Sequence, residues 1–153
     1  MIPKSVSEDI QAADDKDPKR FFVYGSLMEG FFNYKKSLEG KVISRVPGRV
    51  RGILYHQSNK GYPAMVSGEG WVKGEFLEVE DFEKLVLICD RTEGYNGPGH
   101  PDNEYERLNS TVELENGEKG LAQVYWYARH DLGSPENPVV PLPSGDWREY
   151  MGK

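Results

Sequence analysis

Tyr24-Gly25-Ser26-Leu27 and Glu93-Gly94-Tyr95 are the two stretches whose residue types and settings could do chemistry. The first follows a continuous apolar run, Phe21 to Tyr24, that reads as a short buried strand. Gly25 stops the run and lets the backbone turn freely or approach a ligand closely, and Ser26 offers a hydroxyl just past the turn. A strand that opens into a Gly-Ser turn aims backbone N–H groups at one point, where a carboxylate or an oxyanion can be held. Read alone, the same stretch is also an ordinary strand end. In the second stretch, Glu93 falls in the last turn of a helix that Gly94 ends in the left-handed conformation. A carboxylate there meets the negative end of the helix dipole, which is locally unfavourable. Local rules tend to be broken at functional sites, and the plain alternative is a surface glutamate.

Other chemistries fit less well. His56, His100 and His130 are far apart and lack metal-ligand spacing with Cys89 or an acid. Cys89 lies on an apolar helical face, the wrong setting for a reactive thiolate. Gly94-x-x-Gly97-x-Gly99 falls in a loop without the strand–turn–helix context of a dinucleotide fingerprint.

The elements that must position these groups follow in order. Met1–Arg20 is polar and of mixed charge, without periodicity, and is expected to be a flexible tail ahead of a single domain, Phe21–Lys153. Gly30–Leu38 reads as a short helix with Phe31, Tyr34 and Leu38 on one face. Val42–His56 reads as a strand, bent or bulged at Gly48 and Gly52. Gly61–Val66 is expected to be a turn leading into a short segment, and Trp71–Val79 a further strand. Glu80-Asp81 opens the clearest helix, with Phe82, Leu85, Ile88 and Cys89 on its apolar face. Asn96–Glu104 is a loop rich in Gly, Pro and Asn. Tyr105–Leu114 and Gly120–Arg129 form a hairpin about Asn116-Gly117. Ser144-Gly145-Asp146-Trp147 caps a last short helix, with Trp147, Tyr150 and Met151 packing back. The class is α+β and mainly β, and the strand pattern suits a barrel or a sandwich.

Composition bounds the rest. The 153 residues suit one domain with a real core, and 17 glycines with 10 prolines favour short strands and turns. A net charge of −6 with no long basic run argues against nucleic acid as a partner. The lone Cys89 allows no internal disulfide and suits a reducing compartment. With no apolar leader and no bilayer-length apolar stretch, the expectation is a cytoplasmic protein with no membrane partner. Nothing in the sequence speaks to oligomeric state.

Tyr24-Gly25-Ser26-Leu27, the later Glu93-Gly94-Tyr95 and Tyr105-Glu106-Arg107 after it, in this order and spacing, resemble the γ-glutamylcyclotransferase-like (AIG2-like) family. The resemblance runs from about Phe21 to the C-terminus. It implies a small mixed β-barrel with a few short helices and a cavity at one mouth. It implies an enzyme that cyclises the γ-glutamyl group of a γ-glutamyl amine or amino acid to 5-oxoproline and releases the amine. Glu93 then falls at the position of the general acid/base. The N–H groups of Tyr24, Gly25, Ser26 and Leu27 would hold the glutamyl carboxylate or the developing oxyanion. Tyr105 and Tyr125 would flank the pocket as substrate-binding residues, and Tyr62-Pro63-Ala64 would lie beside it. Arg107 is either structural or attracts a carboxylate. The mechanism implied needs neither metal nor cofactor, and the partner implied is a small-molecule γ-glutamyl substrate. The alternative is a non-catalytic module that keeps the barrel to bind a small ligand or a protein.

Overall fold

The apolar run at Phe21 is the hub of the sheet. It forms β2 (Arg20–Val23), with Phe21, Phe22 and Val23 buried. The computed structural model describes residues 10–12 and 18–153. Along them run β1 (Ile10–Ala12), β2, α1 (Phe32–Ser37), β3 (Val42–Gln57), β4 (Tyr62–Val79), α2 (Phe82–Thr92), β5 (Tyr105–Leu114), β6 (Lys119–Tyr127), β7 (Val139–Pro141) and α3 (Trp147–Met151). β2 pairs antiparallel with β4, Phe22 opposite Phe76, and parallel with β6, Phe21 opposite Gln123. β3 pairs with β4 and, at Gly48 and Arg49, with β5; β5 pairs in turn with β6. The ring β5–β6–β2–β4–β3 is therefore a closed five-strand barrel, as the resemblance implies. β7 lies on β3, and β1 lies on β5 with Ile10 opposite Ser110. That pairing falls inside the stretch expected to be a flexible tail, most of which lies outside the described residues.

β3 and β4 are long and strongly curved, with a register shift between Arg51 and Ile53, at the bulge expected of Gly52. The expected turn at Gly61–Val66 is confined to its start: Tyr62 already opens β4, which continues to Val79. Pro63 is tolerated because this end of β4 is a sheet edge: its partner is His56 on β3, whereas β2 pairs only with Glu75–Glu78.

α2 docks by Phe82, Leu85, Val86 and Cys89, while Ile88, expected on that face, is half-buried. The Phe82 ring stacks on Phe21 at 4.9 Å, which ties the helix to β2. In α3 the Asp146 carboxylate accepts from the Glu149 N–H at 3.0 Å, the expected cap. Trp147 is buried, but Tyr150 and Met151 stay exposed, and the Tyr150 hydroxyl bonds His56 Nδ1 at 2.6 Å. Among the described residues no helix is long and apolar enough to cross a membrane.

Candidate active site

The turn after β2 directs its carbonyls toward α1. Ser26 O accepts from the N–H groups of Asn33 (3.0 Å) and Tyr34 (3.1 Å), and Gly25 O accepts from Met28 N–H (2.9 Å). The Ser26 hydroxyl accepts from Asn33 Nδ2 at 2.7 Å. By contrast, the N–H groups of Gly25, Ser26 and Leu27 have no acceptor among the described residues. Open backbone donors on one short turn suit an anion or an oxyanion. Tyr24, Gly25, Ser26 and Leu27 all line one cavity of about 460 Å³. At Gly25 a side chain would meet the Pro63 ring, Cβ to Cγ 2.5 Å, so Tyr62-Pro63 forms the facing wall.

Glu93 enters this cavity from the end of α2. The helix closes as expected, with Gly94 at φ +65°: Gly94 N–H bonds Arg91 O and Tyr95 N–H bonds Asp90 O at 2.9 Å. Glu93 is thus the C-cap residue, and its carboxyl has neither hydrogen bond nor ion pair among the described residues. Loss of solvent pushes its pKa up to about 8; the negative charge of Glu104 adds to the shift and Lys36 opposes it. A carboxyl titrating there can both take and return a proton near neutral pH.

The structure also brings Tyr105 and Tyr125 to the cavity wall, but their hydroxyls are committed to the protein. Tyr105 Oη donates to Pro63 O at 2.5 Å and accepts from Gln57 Nε2 at 3.2 Å. Tyr125 Oη donates to Asp90 Oδ1 at 2.6 Å, and Tyr24 Oη to Tyr125 O at 2.6 Å. The three tyrosines are buried and shape the cavity with their rings. Arg107 is the structural partner of the two alternatives: its guanidinium spans Asp90 (Nε–Oδ1 2.8 Å, Nη2–Oδ2 3.1 Å) and bonds Gln123 Oε1. Glu106 is likewise consumed, by Gly99 N–H at 2.7 Å and Asn103 Nδ2 at 3.0 Å. Cys89 is fully buried, and burial, followed by the charges of Glu93 and Asp90, pushes its thiol up to about 12. Among the described residues no three His, Cys, Asp or Glu side chains gather as a metal-ligand set.

Sequence reasoning missed Glu104, Lys36 and Lys60, which also line the cavity. Glu104 follows a loop without periodicity, and only its place beside the motif tyrosine, Tyr105, could have drawn notice.

Comparison with known proteins gives the geometry its context. A family model described as gamma-glutamyl cyclotransferase, AIG2-like, matches residues 21–149. The chain is 33% identical over 129 residues to the gamma-L-glutamyl-butirosin B gamma-glutamyl cyclotransferase of Niallia circulans, covering 84% of this chain and 75% of that one. It is 31% identical over 134 residues to a putative gamma-glutamylcyclotransferase of Methanocaldococcus jannaschii, covering 86% and 97%. Among solved structures, YkqA of Bacillus subtilis superposes with a TM-score of 0.60 at 22% identity, covering 86% of this chain and 40% of that one; the likeness is one of fold.

Proposed function

The chain belongs to the gamma-glutamyl cyclotransferase, AIG2-like family, and on that premise we propose that it cyclises the γ-glutamyl group of a γ-glutamyl amine or γ-glutamyl amino acid, with Glu93 carrying the protons. The observation that carries this reading is the unpaired Glu93 carboxyl, with its raised pKa, in one cavity with the open N–H groups of Gly25, Ser26 and Leu27. One relative is named for a γ-glutamyl compound, γ-L-glutamyl-butirosin B, which supports an amide of this kind as the substrate class.

The reaction asks little of the protein beyond folding the substrate and moving protons. The α-amino group attacks the γ-carbonyl carbon of the same molecule, so a substrate held bent is already an attacking conformer. A free α-amino group has a pKa near 8 and is mostly ammonium at neutral pH. It begins with three protons, and the nitrogen of the 5-oxoproline ring keeps one. The leaving nitrogen begins with one and departs as an ammonium with three. Two protons therefore cross between the nitrogens, and one carboxyl can carry both in turn. With its pKa raised toward that of the attacking amine, Glu93 takes the first proton at a smaller energetic cost than an ordinary carboxylate would. As the new C–N bond forms, the carbonyl electron pair moves onto oxygen. The N–H groups of the Tyr24–Leu27 turn are suited to hold either that oxyanion or the substrate's α-carboxylate. The amine then leaves with the second proton.

The test is incubation with a panel of γ-glutamyl amines and γ-glutamyl amino acids, with 5-oxoproline release as the readout. Release from at least one class is expected, and release from neither would overturn the reading.

A further inference from the structure

Glu93 shares its cavity with a second carboxylate. Glu104 is set there by its backbone, whose N–H bonds Gly94 O at 3.1 Å and whose carbonyl accepts from Ala128 N–H at 2.8 Å. The first bond joins it to the residue directly after Glu93. Its side chain is held from one side only. Oε2 accepts from Tyr62 Oη at 2.5 Å and from Lys60 Nζ at 3.0 Å, while Oε1 has no hydrogen bond among the described residues. A carboxylate clamped by one oxygen and open at the other is a fixed acceptor.

We propose that Glu104, through Oε1, receives the α-ammonium group of the γ-glutamyl moiety and holds it beside Glu93; this rests on the cyclotransferase reading. The substrate head has two charged groups. The open N–H groups of the turn suit its carboxylate, and the ammonium then needs acceptors. The other charged or titratable side chains facing Glu93 are poor candidates. Lys36 from α1 is a cation. Lys60 is spent on Glu104 and on Tyr127 Oη at 3.3 Å. The hydroxyls of Tyr24, Tyr62 and Tyr105 donate to protein acceptors, and the buried Cys89 thiol, pushed up to about 12, keeps its proton. Two carboxyls around one ammonium also explain how a single group can shuttle: Glu104 keeps the nitrogen in place while Glu93 is protonated. The like charge of Glu104 contributes to the upward shift at Glu93. Glu104→Gln removes that charge and leaves Lys60 without its counter-charge, so the acid limb of activity moves to lower pH.

Binding separates this role from a merely structural one. In a Glu93→Gln background, which blocks turnover, calorimetry compares L-γ-glutamyl-p-nitroanilide with glutaryl-p-nitroanilide, which lacks only the α-amino group. The γ-glutamyl compound should bind about tenfold or more tightly, the worth of a charge-assisted contact, and adding Glu104→Gln should bring the two affinities within about threefold. In the native background, Glu104→Gln should raise KM more than it lowers kcat, with the shifted acid limb. A preference for the γ-glutamyl compound that survives Glu104→Gln would overturn the proposal, as would an equal loss of both ligands. If the native protein releases 5-oxoproline, either result strikes this proposal alone. If it releases none from any γ-glutamyl compound, both readings fall.

Discussion

At Glu93 the burial that makes the carboxyl a useful proton carrier also weakens the fold. Its pKa rises from an ordinary 4.5 to about 8, so between those values the folded state keeps a proton that the unfolded chain has lost. Stability from this group therefore falls as pH rises from about 4.5 to about 8, and the full cost is present above that. Glu93→Gln should be more stable than the native protein at pH 9 by about 1–4 kcal/mol, with the difference gone at pH 4. Urea unfolding at the two pH values checks this, and equal differences at both would contradict it. The same variant should bind substrate and lose about 10²–10⁴-fold in turnover, read as 5-oxoproline release, because glutamine cannot accept and return a proton. Near-native turnover would remove Glu93 from its role. Native activity should fall as pH drops below about 8. In the sequence Glu93 stands out through the Glu93-Gly94-Tyr95 motif and its place at a helix C-terminus, and Asp90 and Glu106 have no such support. In the structure Asp90 is bound by Arg107 and Tyr125, and Glu106 pins the loop at Gly99 and Asn103. Only tertiary partners separate a consumed carboxylate from an open one.

Among the elements, the two ends that meet at the cavity are fixed by glycines for different reasons. Gly25 is required by space, since its Cβ would fall 2.5 Å from Pro63 Cγ. Gly25→Val should abolish calorimetric binding of γ-glutamyl ligands in a chain that retains its circular dichroism spectrum. Unchanged affinity would take the turn out of the site. Gly94 is required by conformation, at φ +65°, and its Cβ would also crowd Glu104 Cβ at 3.3 Å. Gly94→Ala should cost about 1 kcal/mol in urea unfolding. It should also lower kcat under conditions where the variant is fully folded, because Gly94 sits between the two carboxyls; a stability loss with unchanged kcat would argue otherwise. Helix ends of this kind are written locally, as a Gly after an amphipathic run. The long β4 is not. Gly61–Val66 reads as a turn, yet the strand begins at Tyr62 and runs through Pro63 because β3 pairs with Tyr62–Val66 and again with Trp71–Val79; Gly68 and Gly70 fall between, opposite Gly52, where the register shifts. Cross-strand pairing overrides local propensity at Tyr62 and Pro63, which face the site as the resemblance implies but from a strand, not a turn.

On the scale of the whole molecule, the barrel needed the family resemblance, because alternation and turns alone also describe a sandwich; closure depends on the short contact of β3 with β5 at Gly48 and Arg49. β1 adds a strand outside that ring, opposite Leu108–Ser110, residues that do not line the cavity. Deleting Met1–Ala12 should therefore lower the melting temperature by a few degrees, about the worth of 1 kcal/mol, and leave turnover unchanged. A loss of turnover in the folded deletion would tie the N-terminus to the site. The position of β2 has a further consequence, for how the protein comes into being. β3 with β4, and β5 with β6, are neighbours along the chain and can zip up as hairpins on their own. β2 precedes both, yet it must lie between one strand of each, with Phe21 opposite Leu77 on one side and Gln123 on the other. Its insertion joins distant parts of the chain, as does the pairing of β3 with β5, and such non-local steps are expected to be the slow ones of folding. Insertion of β2 is also the step that brings the Tyr24–Leu27 turn up to Pro63 and Glu93. A chain arrested with both hairpins made has two half-walls and no cavity, so turnover by a nascent molecule is expected only once β2 is seated between them and β3 has met β5.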